Sequence, residues 1–191
     1  MQRLEHNYHA LRDLTPYGTR FMGLVKADAY GHGAIPVAKK LEELGADYLG
    51  VACLDEAIEL REAGIKSPIL ILGCTPAVYA QELAQYQITQ ACYDLDYAKA
   101  LSAGVQTTGG QLTIHIQCDT GMTRLGFLCH EETIAQAAQE IHRSPSVFLG
   151  ATGSMAPAGQ TAAQAPQPVQ RRSPEGWRGT DPASLYGRPP G

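Results

Sequence analysis

Short apolar runs alternate with helical stripes through the first 150 residues. Leu4, Tyr8, Leu11 and Leu14 recur at helical spacing. Phe21 to Val25 is then a compact apolar run, suited to a strand buried on both faces as in a parallel sheet, and Lys26 ends it. Ala34, Val37, Ala38, Leu41 and Leu44 mark one face of a helix, with Pro36 in its first turn and Gly45 at its end. Tyr48 to Cys53 predicts a second strand. Asp55 and Glu56 suit the start of the next helix, whose Ala57, Ile58 and Ala63 are apolar and which Gly64 closes. Pro68 to Leu72 is a third strand, and Thr75-Pro76 reads as N-cap and first residue of a helix reaching Tyr86.

Ile88 to Tyr93 is a fourth strand, and Asp94 caps a helix ending near Gly104. Leu112 to Cys118 alternates apolar and polar residues as a fifth. Ile134, Ala137, Ala138 and Ile141 share one side of a helix from about Glu131 to His142, and Val147 to Gly150 begins a sixth strand. Strands and helices in strict alternation imply an α/β protein with a parallel sheet and right-handed crossovers. Periodicity alone does not separate a doubly wound sheet from a closed barrel.

Beyond Gly150 the pattern stops. Seven of the twelve prolines fall in the last 41 residues, and no isoleucine follows Ile141. Such a Pro/Gly/Ala-rich segment cannot bury enough apolar surface to offset its ordering entropy, so residues 151–191 are expected to be a disordered tail to an ordered unit at 1–150.

Composition narrows the function classes. A net charge of −4, mixed along the chain, argues for neither nucleic acid nor an anionic membrane. No stretch approaches the ~20 continuous apolar residues of a membrane span. The start M-Q-R-L-E-H-N-Y-H lacks the apolar core of a secretory signal, which predicts a cytoplasmic protein. Five cysteines without a C-x-x-C are expected to be buried, reduced thiols, and the six histidines show no metal spacing, so no metal site is expected.

Two runs carry candidate chemistry. In V-K-A-D-A-Y-G-H-G, Val25 to Gly33, a lysine at a strand end is costly to bury unless it is paired or neutral. A neutral amine there is a nucleophile toward carbonyls, including the aldehyde of pyridoxal phosphate, and the Tyr30 hydroxyl could reach a phosphate. The plainer alternative is a lysine snorkelling into solvent. The second run, C-D-T-G-M-T-R-L-G from Cys118 to Gly126, opens from a strand into a glycine-containing loop fit to hold a ligand. Asp119 to Gly121 could equally shape a plain turn around a surface Arg124.

Both runs resemble motifs of the alanine racemases, fold-type III pyridoxal phosphate enzymes, in the right order and at the expected separation. Asp55 to Ile65 and Ile69 to Gly73 are similar to the same family, and the likeness extends from about Leu4 to Ser146. The resemblance implies a partial (β/α)8 TIM barrel with five to six of eight strands and Lys26 at the end of the first. It implies a racemase that interconverts L- and D-alanine for peptidoglycan precursors. Lys26 would bind pyridoxal phosphate and act as a base at the substrate's α-carbon. Tyr30 would hold the phosphate, Leu72 would line the cofactor pocket, and Arg124 would serve both cofactor and substrate carboxylate.

Where many members carry a carbamylated lysine, this chain has Gln117, whose amide oxygen could accept from Arg124. The family's second base is a tyrosine of a C-terminal β-domain, delivered across a homodimer. That domain and the last barrel strands, beginning with a His-Phe, are not in this sequence, and Leu185-Tyr186-Gly187 lies too close to Arg124 to replace them. A shifted reading frame or truncation, with an inactive product, is therefore the expectation. The alternatives are a serine racemase of the same family and a non-catalytic barrel that binds pyridoxal phosphate.

Overall fold

A computed structural model describes residues 1–128 and 131–154. Five strands, β1 (Met22–Leu24), β2 (Tyr48–Val51), β3 (Ile69–Ile71), β4 (Ile88–Cys92) and β5 (Leu112–Asp119), lie side by side in chain order, each parallel to the next. A two-residue strand, β6 (Phe127–Leu128), pairs with the last residues of β5, and β7 (Val147–Ser154) pairs along β5's length. Helices α1 (Gln2–Asp13), α3 (Ala34–Glu43), α4 (Leu54–Glu62), α5 (Ala80–Gln85), α6 (Leu95–Gln106) and α7 (Glu131–His142) occupy the intervals. A further short element, α2 (Lys26–Gly31), directly follows β1. This is the α/β alternation that the hydrophobic pattern implies, and β7 runs on past Gly150 to Ser154.

Each strand divides its residues between two environments, because successive side chains point to opposite faces. Leu49, Val51, Ile69, Ile71, Ile88, Cys92, Leu112, Ile114 and Ile116 pack against the helices through Ala38, Leu41, Ala57, Leu60, Leu83, Leu101, Ala137 and Ile141. Each fully buried leucine or isoleucine there contributes roughly 1.5–3 kcal/mol. Tyr48, Gly50, Thr113, His115 and Gln117 take the other face.

The sheet is strongly curled. Strands β2 and β5 are three spacings apart, about 14 Å across a flat sheet. Yet the rings of Tyr48 and His115 meet with centroids 5.3 Å apart. Only a sheet bent into an arc, its inner face concave, brings these side chains together. The arc is an incomplete barrel.

Several expectations change. Among the described residues β1 has one neighbour, β2, so its inner face is open and Leu24 is 42% exposed. The burial on both faces expected of this strand is therefore not observed. Gly104 lies inside α6 rather than ending it. A Cβ there would stand 2.8 Å from the Ala80 Cβ and 3.2 Å from the Ala77 carbonyl, so the glycine lets two helices approach. Pro76, not Thr75, precedes the helical segment, which opens as a 3-10 turn at Ala77–Tyr79 before α5. Cys53 and Cys74 are exposed free thiols, because both sit in loops beyond strand ends. Cys92 and Cys118 are buried, and burial pushes the Cys92 thiol up to about 12. Cys129 and the tail from 155, with Leu185 to Gly187, lie outside the described residues.

Candidate active site

All strands being parallel, the segments after β1, β2, β3, β4 and β5 emerge at one end of the sheet, the end that carries chemistry in (β/α) barrels. Lys26 and Arg124 share that end. Val25 is buried, and its amide donates to the Gly50 carbonyl at 2.9 Å, extending the ladder to the residue before the lysine. Lys26 is half-buried, less enclosed than its place after an apolar run suggests.

The backbone then turns the wrong way. Ala27, Asp28, Ala29 and Tyr30 all have φ between 49° and 56°, forming one turn of left-handed helix without a glycine. Each such residue costs roughly 1–2 kcal/mol relative to the right-handed form. A run of four persists only where surrounding contacts impose it. The Ala29 amide donates to the Val25 carbonyl at 2.9 Å, and the Ala27 amide donates to Glu56 Oε1 at 2.8 Å. At the far side, the Ala34 amide donates to Asp28 Oδ1 at 2.6 Å and the Gly33 amide to the Asp28 carbonyl at 3.0 Å. His32 bends back through its amide to the Ala29 carbonyl. Ala29 is thereby buried, while Tyr30 is 61% exposed with its phenol toward solvent.

An apolar wall stands below the lysine. A Cβ on Gly50 would lie 2.5 Å from Leu24 Cδ2, 3.0 Å from Met22 Sδ and 3.5 Å from Leu72 Cδ1. Three side chains therefore close over the space that this glycine leaves. Beside it the β2 and β3 exits are pressed together, for a Cβ on Gly73 would fall 2.3 Å from the Ala52 carbonyl oxygen. Gln90 Nε2 holds the Gly73 carbonyl at 2.7 Å. Cys74 Sγ lies 2.7 Å from the Tyr93 hydroxyl, Tyr93 stacks on Tyr97 at 4.5 Å, and the Tyr97 hydroxyl donates to the Thr75 carbonyl at 2.5 Å. Burial first, then the neighbouring Cys74, raises Tyr93 above the ordinary phenol range.

The loop after β5 is shaped by Asp119 and two glycines. Asp119 Oδ1 accepts from the Gly121 and Thr123 amides at 3.0 and 2.9 Å, an Asx-type turn that carries Thr123 at φ 55°. Gly126, at φ 136°, brings the chain back against β5 and starts β6, a strand that the sequence pattern did not announce. Gln117 is buried, and its Nε2 donates to the Leu125 carbonyl at 2.9 Å, fastening the loop one residue past the exposed Arg124. The neutral amide thus anchors backbone through its nitrogen.

An amine (Lys26), a phenol (Tyr30) and a guanidinium (Arg124) thus lie in segments at one end of the sheet, with the Leu24 and Leu72 side chains beside Gly50, and their chemistry suits an aldehyde and an anionic group. Sequence reasoning missed Glu56 as part of this site, having read it only as a favourable charge at a helix start. Among the described residues no group of three His, Cys, Asp or Glu side chains could hold a metal ion, and no helix is long and apolar enough to cross a membrane.

Comparison with known proteins gives a consistent result. Residues 1–172 match the family described as alanine racemase, N-terminal domain. Alanine racemase 1 of Caldanaerobacter subterraneus subsp. tengcongensis is 41% identical over 128 residues, 67% of this chain and 33% of that protein. The solved alanine racemase of Clostridium difficile 630 superposes with a TM-score of 0.77 at 36% identity, over 81% of this chain and 40% of its own. A histidine racemase from Leuconostoc mesenteroides subsp. sake has a TM-score of 0.74 at 31% identity, over 79% of this chain and 40% of its own. The chain spans about a third of the length of the curated relatives it matches.

Proposed function

The chain belongs to the alanine racemase family, and on that footing we propose that it binds pyridoxal phosphate through Lys26 and belongs to a protein interconverting L- and D-alanine. One observation carries the reading most: two family motifs, one holding Lys26 after β1 and one holding Arg124 after β5, open at the same end of a parallel sheet. When bound, pyridoxal phosphate withdraws electrons from the substrate's α-carbon. Lys26 would hold the cofactor at its aldehyde, and its Nζ would supply a base that moves a proton at that carbon. The exposed Tyr30 hydroxyl would donate to the cofactor's phosphate. Leu72, with Leu24 and Met22, offers an apolar face at the same end of the sheet. Arg124 presents its fork of donors to anionic oxygens of cofactor and substrate carboxylate.

The wider reading has the family's setting: a homodimer acting in the cytoplasm on a small amino acid, to supply D-alanine for peptidoglycan. A solved histidine racemase shares this fold, so the choice of alanine over serine or another amino acid rests on the alanine racemase relatives.

The test is cofactor capture by the 191-residue chain. Mixed with pyridoxal phosphate, it should develop a visible absorption band of lysine-bound cofactor, fixed by borohydride as a mass increase on Lys26 and lost in Lys26→Ala. D-alanine appearing from L-alanine on a chiral column adds turnover. A band without turnover restricts the chain to cofactor binding, and no lysine-dependent band removes the proposal.

A further inference from the structure

Glu56 is the third residue of α4, after Cys53 as N-cap. A glutamate there ordinarily turns back to the amide of its own N-cap residue, closing a capping box. In this protein it does not. Its Oε2 accepts from the Ala52 amide at 2.7 Å, one residue before the cap, and its Oε1 reaches across to the Ala27 amide at 2.8 Å. One carboxylate therefore joins the exit of β2 to the first left-handed residue after Lys26, 29 positions away in sequence. Ala27 is where the chain commits to the unfavourable hand, and its amide is bound to the next strand's connection. On the far side of the turn Asp28 provides the matching tie to Ala34.

We propose that Glu56 is a positioning residue for Lys26: its carboxylate holds the left-handed turn and so fixes the direction in which the amine leaves β1. The inference rests on the cofactor reading above. It does not place Glu56 against the cofactor. A carboxylate is needed because both partners are donors. In Glu56→Gln the amide NH2 would face one of the two N–H groups, so one bond is lost and a donor is set against a donor.

A control of similar build exists elsewhere. Glu42 Oε1 accepts from the Lys66 and Ser67 amides at 2.7 and 2.5 Å, in the loop that enters β3 at the opposite end of the sheet. Glu42→Gln removes the same charge from a comparable tie, whose single accepting oxygen the amide keeps, without touching the lysine.

The experiment compares the full chain with Glu56→Gln, Glu42→Gln and Lys26→Ala, all checked by circular dichroism. Two readouts are taken: titration of the lysine-dependent band with pyridoxal phosphate, and hydrogen exchange at the Ala27 amide without cofactor. Glu56→Gln should weaken capture about tenfold or more and speed exchange at Ala27. Glu42→Gln should leave both within about twofold of the parent. Parent-like capture or parent-like Ala27 exchange in Glu56→Gln overturns the assignment, as does an equal loss in Glu42→Gln. A parent chain with no lysine-dependent band overturns the cofactor reading itself. That result is separate from a band present in the parent and undiminished in Glu56→Gln. Should Glu56→Gln fail to fold, Glu56→Asp replaces it. The shorter carboxylate cannot span both amides, so it should keep the Ala52 tie, lose the Ala27 tie and weaken capture; parent-like capture there also overturns the assignment.

Discussion

Asp28 accepts a hydrogen bond from the Ala34 amide at 2.6 Å, although Ala34 is the first residue of a different helix. The N-cap of that helix, Gly33, has no side chain to give, so a carboxylate from the preceding turn takes its place. Asp28→Ala should therefore cost about 1 kcal/mol, read as a fall in melting temperature of roughly 2–4 °C. Asp28→Asn keeps the acceptor and should recover most of it. Thermal denaturation followed by circular dichroism checks the order.

Two glycines in the loop after β5 should respond unequally to alanine. Both have positive φ, 112° at Gly121 and 136° at Gly126. Around Gly121 a Cβ meets nothing within 4 Å. At Gly126 it would lie 2.6 Å from the Asp119 nitrogen and 2.9 Å from the Gln117 carbonyl oxygen, backbone atoms that cannot swing aside. Gly121→Ala should cost about 1 kcal/mol from strain alone. Gly126→Ala adds overpacking and should cost about 2–3 kcal/mol or more, with Arg124 displaced and cofactor affinity reduced. Denaturant titration separates the two.

His115 gives the curled sheet a pH dependence. Burial first, and then the positive charge of Arg20, holds its imidazole below the ordinary histidine range. The unfolded chain then binds the proton more readily than the folded one, so this residue's contribution is present above about pH 6.5. It is lost as the pH falls from there through the lower folded value. His115→Phe should flatten the stability curve across that window while keeping a ring against Tyr48. Urea midpoints measured from pH 7.5 to 5 test the sign.

Arg61 predicts the largest stability loss. Its Nε donates to the Tyr86 carbonyl at 2.9 Å, Nη1 to Ile65 and Ser67, and Nη2 to Gln87. The side chain thus gathers the entrances to β3 and β4. Arg61→Ala removes four charge-assisted bonds, three of them part-buried, and should cost about 3 kcal/mol or more. Arg61→Lys, without the planar fork, should recover only part. Both should leave the lysine-dependent band intact in whatever fraction remains folded.

The layout of strands and helices was legible because burial follows period. Leu112, Ile114 and Ile116 face the helices while Thr113, His115 and Gln117 face inward, and the alternation is plain in the sequence. Ile134 and Ile141 pack where the helical stripe puts them. What escaped is tertiary in origin. Ala-Asp-Ala-Tyr has no intrinsic reason to wind left-handed, and the cause is imposed from Glu56 and Ala34. Strand β6 exists because Gly126 permits backbone to touch backbone, and two residues are too short for any period. Gly104 reads as a stop only when its partner Ala80 is unknown.

The wrong-handed turn after β1 has a thermal consequence. Its conformation is kept by a handful of bonds at the rim, whereas the strands beneath are kept by the whole apolar interior, so the two need not yield together. On warming, the amine at position 26 should lose its fixed bearing while the sheet is still intact. Capture of an aldehyde would then fade several degrees before any spectroscopic sign of melting.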